Sequence, residues 1–293
     1  MELDIFTLSE MFSTEDLVVK YFIEMKFIYE DVLCGECGYQ MSIITEKTRR
    51  YFRCKRKSCR KKLSLFYGTI LFNACIPLRK VMMIVYLWLN QVETMKIVQM
   101  TGFTHETIKR YVIMCQSIIA SSIEEEDQVI GGEFIEVKLD EAKFGKRKYN
   151  RGHRVDGVWV FGGVEVTNKR KLFLKIIPDR SEQTLRELII QHVKPGSIIV
   201  TDCWKSYTYV PDFGEYFHFT VNHSKNFKNP ETQYHTNRIE GTWSGINNKI
   251  FNRNKTNEFI SYKLLELILR KKNEGNVWSA FIESMSIAHV EDL

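Results

Sequence analysis

Residues 133–144 read EFIEVKLDEAKF, and this stretch decides the fold class. Ile135, Val137 and Leu139 alternate with Phe134, Glu136, Lys138 and Asp140, the period-two pattern of a strand with two unlike faces. The alternation sets Asp140, and not Glu141, on the polar face. Residues 157–166 (GVWVFGGVEV) and 171–180 (KLFLKIIPDR) read as further strands, two of the three being hairpin partners. A helix over 181–193 (SEQTLRELIIQHV) follows, then Pro195-Gly196, a buried strand at 197–202 (SIIVTD), a strand in FHFTVNHS (217–224), and helices from about residue 236 to the end. This order makes an α/β mixture with one buried parallel element.

Working outward towards the start, Ser13-Thr14-Glu15-Asp16 opens a capped amphipathic helix with acids in its first turn. A cysteine-rich segment spans 34–59, and residues 76–122 are apolar at helical spacing with one break at Thr101-Gly102-Phe103. The acidic run 124–127 and Gly131-Gly132 mark a boundary. The chain thus divides into an N-terminal helical segment (1–30), a cysteine ribbon (31–70), a helical region (71–125), an α/β domain (130–275) and a C-terminal helical tail (276–293).

With 293 residues, 44% hydrophobic and 13% aromatic, the chain is long enough for two domains and too apolar to be mostly disordered. No apolar run approaches the roughly 20 residues of a membrane span. The opening MELDIFTLSEMF has no basic leader or cleavable apolar stretch, which argues against secretion. Seven cysteines, four of them tightly grouped, point to a reducing compartment and a metal site instead of disulfides. The net charge of +6 is unevenly spread. The first 31 residues hold eight acids and two lysines, Lys47 to Lys62 hold ten Lys or Arg in 16 residues, and Lys143 to Arg154 hold six in 12. Basic stripes of this density attract a phosphate backbone.

Cys34 and Cys37 form C-x2-C beside Gly35 and Gly38, and Cys54 and Cys59 form C-x4-C. Four thiolates close a tetrahedral shell around one structural Zn²⁺ ion and leave no open position for catalysis. What such a ribbon presents is its basic stripe, with Arg53, Lys55, Arg56 and Lys57 beside Tyr51 and Phe52, which suits DNA. Cys75, Cys115 and Cys203 sit in apolar or strand contexts and read as core. In TMKIVQMTGFTHETIKRYVIMC (94–115) one helix ends near Met100, Gly102 turns the chain and Thr104 caps a second helix. Ile108, Val112 and Cys115 then face inward, leaving His105, Lys109 and Arg110 outward, which is helix-turn-helix spacing with a basic second helix.

Three carboxylates remain. Asp140 lies on the first strand of the α/β domain, Asp202 ends the buried strand 197–202, and Glu240 edges a helix whose inward stripe is Ile239, Trp243, Ile246 and Ile250. Converging from two strands and a helix, they would hold two hard cations such as Mg²⁺ or Mn²⁺ and support two-metal phosphodiester chemistry.

The motifs DEAKFGKRKYNRG, GVWVFGGVE, PDRS, TDCWKSY, VNHSKNF and HTNRIEGTW, in that order and behind a four-cysteine ribbon, resemble the Merlin and IS1595 (ISXO2-like) superfamily of transposases. The resemblance covers about residues 30–250. It implies a ribonuclease-H-like (retroviral-integrase-type) catalytic core with a mixed sheet, and a triad of Asp140, Asp202 and Glu240. It further implies dependence on two Mg²⁺ or Mn²⁺ ions and binding to terminal inverted repeats, with cut-and-paste transposition of double-stranded DNA as the activity. The 37 residues between Asp202 and Glu240 agree with the few dozen usual in related enzymes. Lys143, Lys146, Arg147, Lys148 and Arg151 would flank substrate phosphates, and His223 and Lys225 would lie near the scissile phosphate. One departure is Asn247, where many relatives of the broader class carry a base that grips DNA; Lys249 is the nearest substitute. Trp204 and Trp243 read as core. Working on two transposon ends implies a homodimer. The compartment expected is the nucleus in a eukaryote, with KRKSCRKK (55–62) as import signal, or the cytoplasm and nucleoid in a bacterium. Two rivals share these features: a domesticated, catalytically silent DNA-binding protein, and another nuclease of the same fold such as a resolvase.

Overall fold

A computed structural model describes residues 3–28, 31–46, 49–72, 74–144, 157–208, 210, 215–221, 237–249 and 257–287. The chain forms two compact units, residues 1–122 with 275–293, and residues 123–274.

The first unit opens with α1 (Ile5–Met11), capped by Asp4, and α2 (Glu15–Glu24), whose Leu17 N–H donates to Thr14 Oγ1 as the sequence predicts. β1 (Met41–Glu46), β2 (Arg49–Cys54) and β3 (Lys62–Ser64) form a small antiparallel sheet in sequence order. α3 (Leu78–Leu89), α4 (Thr94–Thr101) and α5 (His105–Ser122) then pack on one another. Pro77 at the start of α3 offers no side-chain cap, and Glu15 supplies one from α2, accepting the N–H groups of Leu78 and Arg79 at 3.0 and 3.1 Å.

The second unit is built on a five-stranded sheet. Its strands are β5 (Glu136–Phe144), β6 (Val158–Glu165), β7 (Leu172–Ile177), β9 (Ile198–Asp202) and β10 (Phe217–Val221), in the order β10-β9-β5-β6-β7. The short pair β4 (Ile130–Gly131) and β8 (Val193–Lys194) lies apart from it. β5, β6 and β7 are an antiparallel meander, whereas β9 runs parallel to β5 and β10 parallel to β9. There are therefore two parallel pairings where the sequence suggested one buried parallel element.

Between the meander and β9 lies α6 (Glu182–His192), started by Ser181, whose hydroxyl accepts the Thr184 N–H. Leu185 and Ile189 of α6 pack with Val137, Leu139, Phe161 and Ile199 on one side of the sheet. α7 (Asn237–Lys249) and α8 (Asn257–Lys272) cover the other side, where Ile239, Trp243, Ile246 and Leu264 meet Phe144, Val160 and Leu174. The face of β5 that alternation marks as polar is thus buried under helices. Lys138 on that face is 1% exposed, its ammonium 3.4 Å from Glu136.

The last helix, α9 (Val277–Ile287), packs on α3 and α5, so the segment anticipated as a tail is part of the first unit. Among the described residues no helix is long and apolar enough to cross a membrane.

Candidate active site and metal centre

The parallel register pairs Val137 with Ile199 and Lys138 with Val200; carried on by two residues, it sets Asp140 beside Asp202 on the same face of the sheet. α7 lies over β5 and brings Glu240 to that face from its first turn. Asp140 Oδ2 accepts the indole N–H of Trp243 at 2.9 Å, and Oδ1 accepts the backbone N–H of Glu141 at 2.8 Å. Burial pushes the Asp140 carboxyl up to about 6, and the charges of Asp202 and Glu240 push the same way. The three acids therefore share one electrostatic site. Among the described residues it is the cysteine sulfurs described below, and not these oxygens, that gather within 4.8 Å of one another. Asp202 Oδ1 also accepts the Trp204 N–H at 2.9 Å, which fixes the turn leaving β9.

One glycine in β6 makes this arrangement possible. Gly162 pairs with Asp140, and a Cβ placed there would lie 2.8 Å from the Trp243 ring, 2.7 Å from Leu174 Cδ2 and 3.0 Å from the Phe173 carbonyl. Only a residue without a side chain lets Trp243 lie on the sheet and reach Asp140. Gly162→Val is expected to destabilise the fold by about 2 kcal/mol through overpacking, read as a shift of the urea midpoint. A midpoint equal to wild type would mean that Trp243 does not rest on Gly162.

Glu141 points to the opposite side of β5, where alternation seemed to leave it idle. Its side chain is 3% exposed, Tyr207 donates a hydrogen bond to it, and Arg180 Nη1 stands 4.0 Å from its Oε2. Burial pushes its carboxyl up to about 7, against the pull of Tyr207. The Arg180 guanidinium is sandwiched between indoles, 4.1 Å from the Trp159 ring and 4.3 Å from Trp204. Lys143 Nζ lies 5.2 Å from the other ring contact of that group, Trp159. On the neighbouring strand, His218 Nε2 and Thr201 Oγ1 are 2.9 Å apart.

In the first unit, the Sγ atoms of Cys34, Cys37, Cys54 and Cys59 all lie within 4.8 Å of one another. Cys34 and Cys37 come from the turn before β1, Cys54 ends β2, and Cys59 sits on the loop to β3. The turns that aim them need left-handed backbone at Gly38 (φ 65°) and Arg60 (φ 51°). N–H groups of Glu36 and Cys37 point at Cys34 and hold its thiol down to about 7. Four soft donors at this separation fit one tetrahedral metal ion. Cys115 is buried as expected, but Cys75 and Cys203 are exposed and are not core residues.

Comparison with known proteins gives this geometry a family. Residues 122–263 match the ISXO2-like transposase domain, a span that begins where the second unit begins and includes all three acids. The second unit thus carries a match to the ISXO2-like (IS1595) transposase domain. Over 76 residues it is also 37% identical to an uncharacterized transposase-like protein of Haemophilus influenzae. That alignment covers 26% of this chain and 59% of the relative, so the chain spans well under two thirds of it.

Within the transposase-like unit Asp140 feels the charges of Asp202 and Glu240, and the four cysteines form a separate cluster in the first unit. His105, Lys109 and Arg110 are exposed on α5 as expected; Gly102 ends α4 in left-handed conformation, and Thr104 Oγ1 accepts the Thr107 N–H. Arg53, Lys55, Arg56 and Lys57 line β2 and the turn after it, with the last three exposed. Lys146, Arg147, Lys148, Arg151, His223 and Lys225 lie outside the described residues, as does the side chain of Lys249. Asn247 is exposed on α7. Trp243 is buried as expected, whereas Trp204 is 39% exposed, one face covered by Arg180. Sequence reasoning missed Glu141, Arg180 and Tyr207, although DEAKF, PDRS and TDCWKSY each carry one of them.

Proposed function

We propose that the chain is a DNA transposase that binds terminal inverted repeats, cuts at the transposon ends and joins the freed 3′-hydroxyl to target DNA. The observation that carries the reading is the electrostatic coupling of Asp140 with Asp202 and Glu240 inside the matched transposase domain. The strand order supports a ribonuclease-H-like core: β5, the first strand of the five-stranded sheet, is central, its antiparallel meander partners lie to one side, and two parallel strands lie to the other. The acids then sit on the first strand, the first parallel strand and a covering helix.

Asp140, Asp202 and Glu240 would together hold two Mg²⁺ or Mn²⁺ ions, which activate the attacking water or 3′-hydroxyl and stabilise the leaving oxygen. A buried carboxylate raised by its like-charged neighbours fits that role, because a cation replaces the missing countercharge. Trp243 and the Glu141 amide orient Asp140, each occupying one oxygen and leaving further lone pairs for a metal. Arg180, close to two indoles on the Glu141 side of β5, presents a cation near the turn after Asp202 that would take a DNA phosphate. In the first unit the cysteine centre suits Zn²⁺, and α4 with α5 suits a helix-turn-helix whose second helix carries Lys109 and Arg110. Pairing of two ends calls for a dimer acting on double-stranded DNA.

The test uses labelled duplex DNA carrying the inverted repeats that flank the coding region, with Mg²⁺. Wild type should nick the ends and join them to a target plasmid, and Asp202→Ala should do neither, a loss on the order of a thousandfold or more. End binding with no cleavage by wild type would identify a silent DNA-binding descendant. Cleavage of branched DNA without joining would identify a resolvase, and cleavage by Asp202→Ala equal to wild type would remove the triad.

A further inference from the structure

On the flank of α7 away from Glu240, the second unit holds a cavity of about 400 Å³ between α7, α8 and the β6–β7 turn. Residues 238 and 240 are about 200° apart around a helix at about 100° per residue, so Arg238 enters the cavity while Glu240 faces the acid site. Five cations line the cavity: Arg170, Arg238, Lys263, Arg270 and Lys271, against one carboxylate, Glu266. Burial opposes the Glu266 charge, yet Lys263 and Arg270 keep it ionised with hydrogen bonds of 2.7 and 3.0 Å. One acid therefore answers two cations and leaves the wall strongly positive. Arg238 Nη1 is buried and has no hydrogen-bond partner among the described residues, an orphan donor that an anion would satisfy.

The rest of the lining is apolar. Val164, Leu172, Ile246 and Leu267 form it, and Gly241 and Gly245 leave the α7 backbone bare, with nothing within 4 Å of where a Cβ would stand at either. A bare phosphate would leave this surface unused, and the space is too small for a base pair with its backbone. A flat apolar ring carrying one phosphate matches both halves of the lining.

We infer that this cavity binds one unpaired DNA nucleotide, its base against the α7 glycines and the apolar floor and its phosphate on Arg238. The inference rests on the DNA-processing reading above, but not on catalysis. A helix about 10 Å thick separates the cavity from the acids, so a strand could keep one nucleotide here while a neighbouring phosphodiester lies at Asp140. Unstacking that nucleotide from a duplex end would cost a few kcal/mol, least where the end is already frayed or single-stranded.

The experiment measures fluorescence anisotropy of the full chain with labelled (dT)12, and with an abasic strand of equal length, without Mg²⁺. Gly245→Trp fills the cavity and Arg238→Gln removes the orphan cation. Both should weaken (dT)12 binding about tenfold, while binding of the abasic strand changes less than threefold with Gly245→Trp. Arg186→Gln, on the exposed side of α6, should match wild type within twofold. Thermal melting checks each fold, and Arg238→Gln carries the test if Gly245→Trp does not fold. Unchanged (dT)12 affinity in the folded variants would overturn the inference. So would equal losses on both strands with Gly245→Trp, or displacement of (dT)12 by dodecanoate and not by thymidine 5′-monophosphate. Since no cleavage is read, failure here leaves the triad standing, and failure of the Asp202→Ala assay leaves the cavity standing.

Discussion

Asp140→Asn should abolish end cleavage and, at pH 7.5, make the protein more stable. The activity loss follows from removing a charged ligand of the proposed metal pair, at least about 4 kcal/mol of transition-state stabilisation, or roughly a thousandfold. The stability gain follows from burial. In the folded protein the Asp140 carboxyl gives up its proton near 6, well above an ordinary aspartate, because burial and the facing acids penalise its charge. Between the unfolded value near 4 and the folded value near 6 the native state binds more protons, so stability falls as pH rises through that window. Two units correspond to about 3 kcal/mol at neutral pH, and an amide that keeps one of the two hydrogen bonds to Asp140 leaves a net gain of about 2 kcal/mol.

The gain should shrink as pH falls from about 6 to about 4 and vanish below that, where the aspartate becomes neutral in both states. His192 and His218, whose buried rings resist protonation, weaken the fold on acidification in both proteins, so the difference between the two urea curves isolates Asp140. Mg²⁺ should raise the melting temperature of wild type and not of the variant. A variant less stable than wild type at pH 7.5, with no response of wild type to Mg²⁺, would show that Asp140 is an ordinary structural carboxylate.

The second large effect concerns the cysteine centre. The three short strands of the first unit's sheet offer little core of their own beyond Met41, Phe52 and Leu65, so a metal on the four cysteines would supply much of what holds the ribbon together. Cys54→Ser, or a strong zinc chelator, should release one zinc per chain and unfold the ribbon. Duplex affinity at fixed salt should fall about a hundredfold, and the salt slope should flatten as the basic β2 turn loses its position. Measured zinc content, with anisotropy at two salt concentrations, checks this. Full affinity after quantitative zinc loss would assign the ribbon to protein contacts instead of DNA.

How far the sequence reached depended on whether a residue's partners are local. The alternation of Val137, Leu139 and Asp140 fixed β5 because side-chain period is a local property. What covers each face is not, and the supposedly polar face proved to lie beneath Trp243, about a hundred residues downstream. Glu141 was overlooked for the same reason: its partners Arg180 and Tyr207 arrive from other elements, and only the fold reveals that both faces of this strand carry buried carboxylates. Cysteine spacing reported the four-thiol cluster faithfully, since four thiols in two turns need no distant partner. The apolar neighbours of Cys75 and Cys203 misled, because a short apolar context does not say which way one side chain faces. Gly162 announced nothing by itself; its meaning came from the indole lying on it.

The return of α9 to α3 and α5 bears on how the polypeptide is made. The first unit receives its last helix, with Phe281, Ile282 and Met285 buried, only after the whole α/β unit has left the ribosome. During synthesis the α/β unit can close first, while the helices made earliest wait with an apolar seam uncovered. A nascent chain that has emerged from the ribosome only as far as residues 275–287 would therefore carry a closed α/β unit and an unfinished ribbon-bearing unit, the stage at which a chaperone has most to hold.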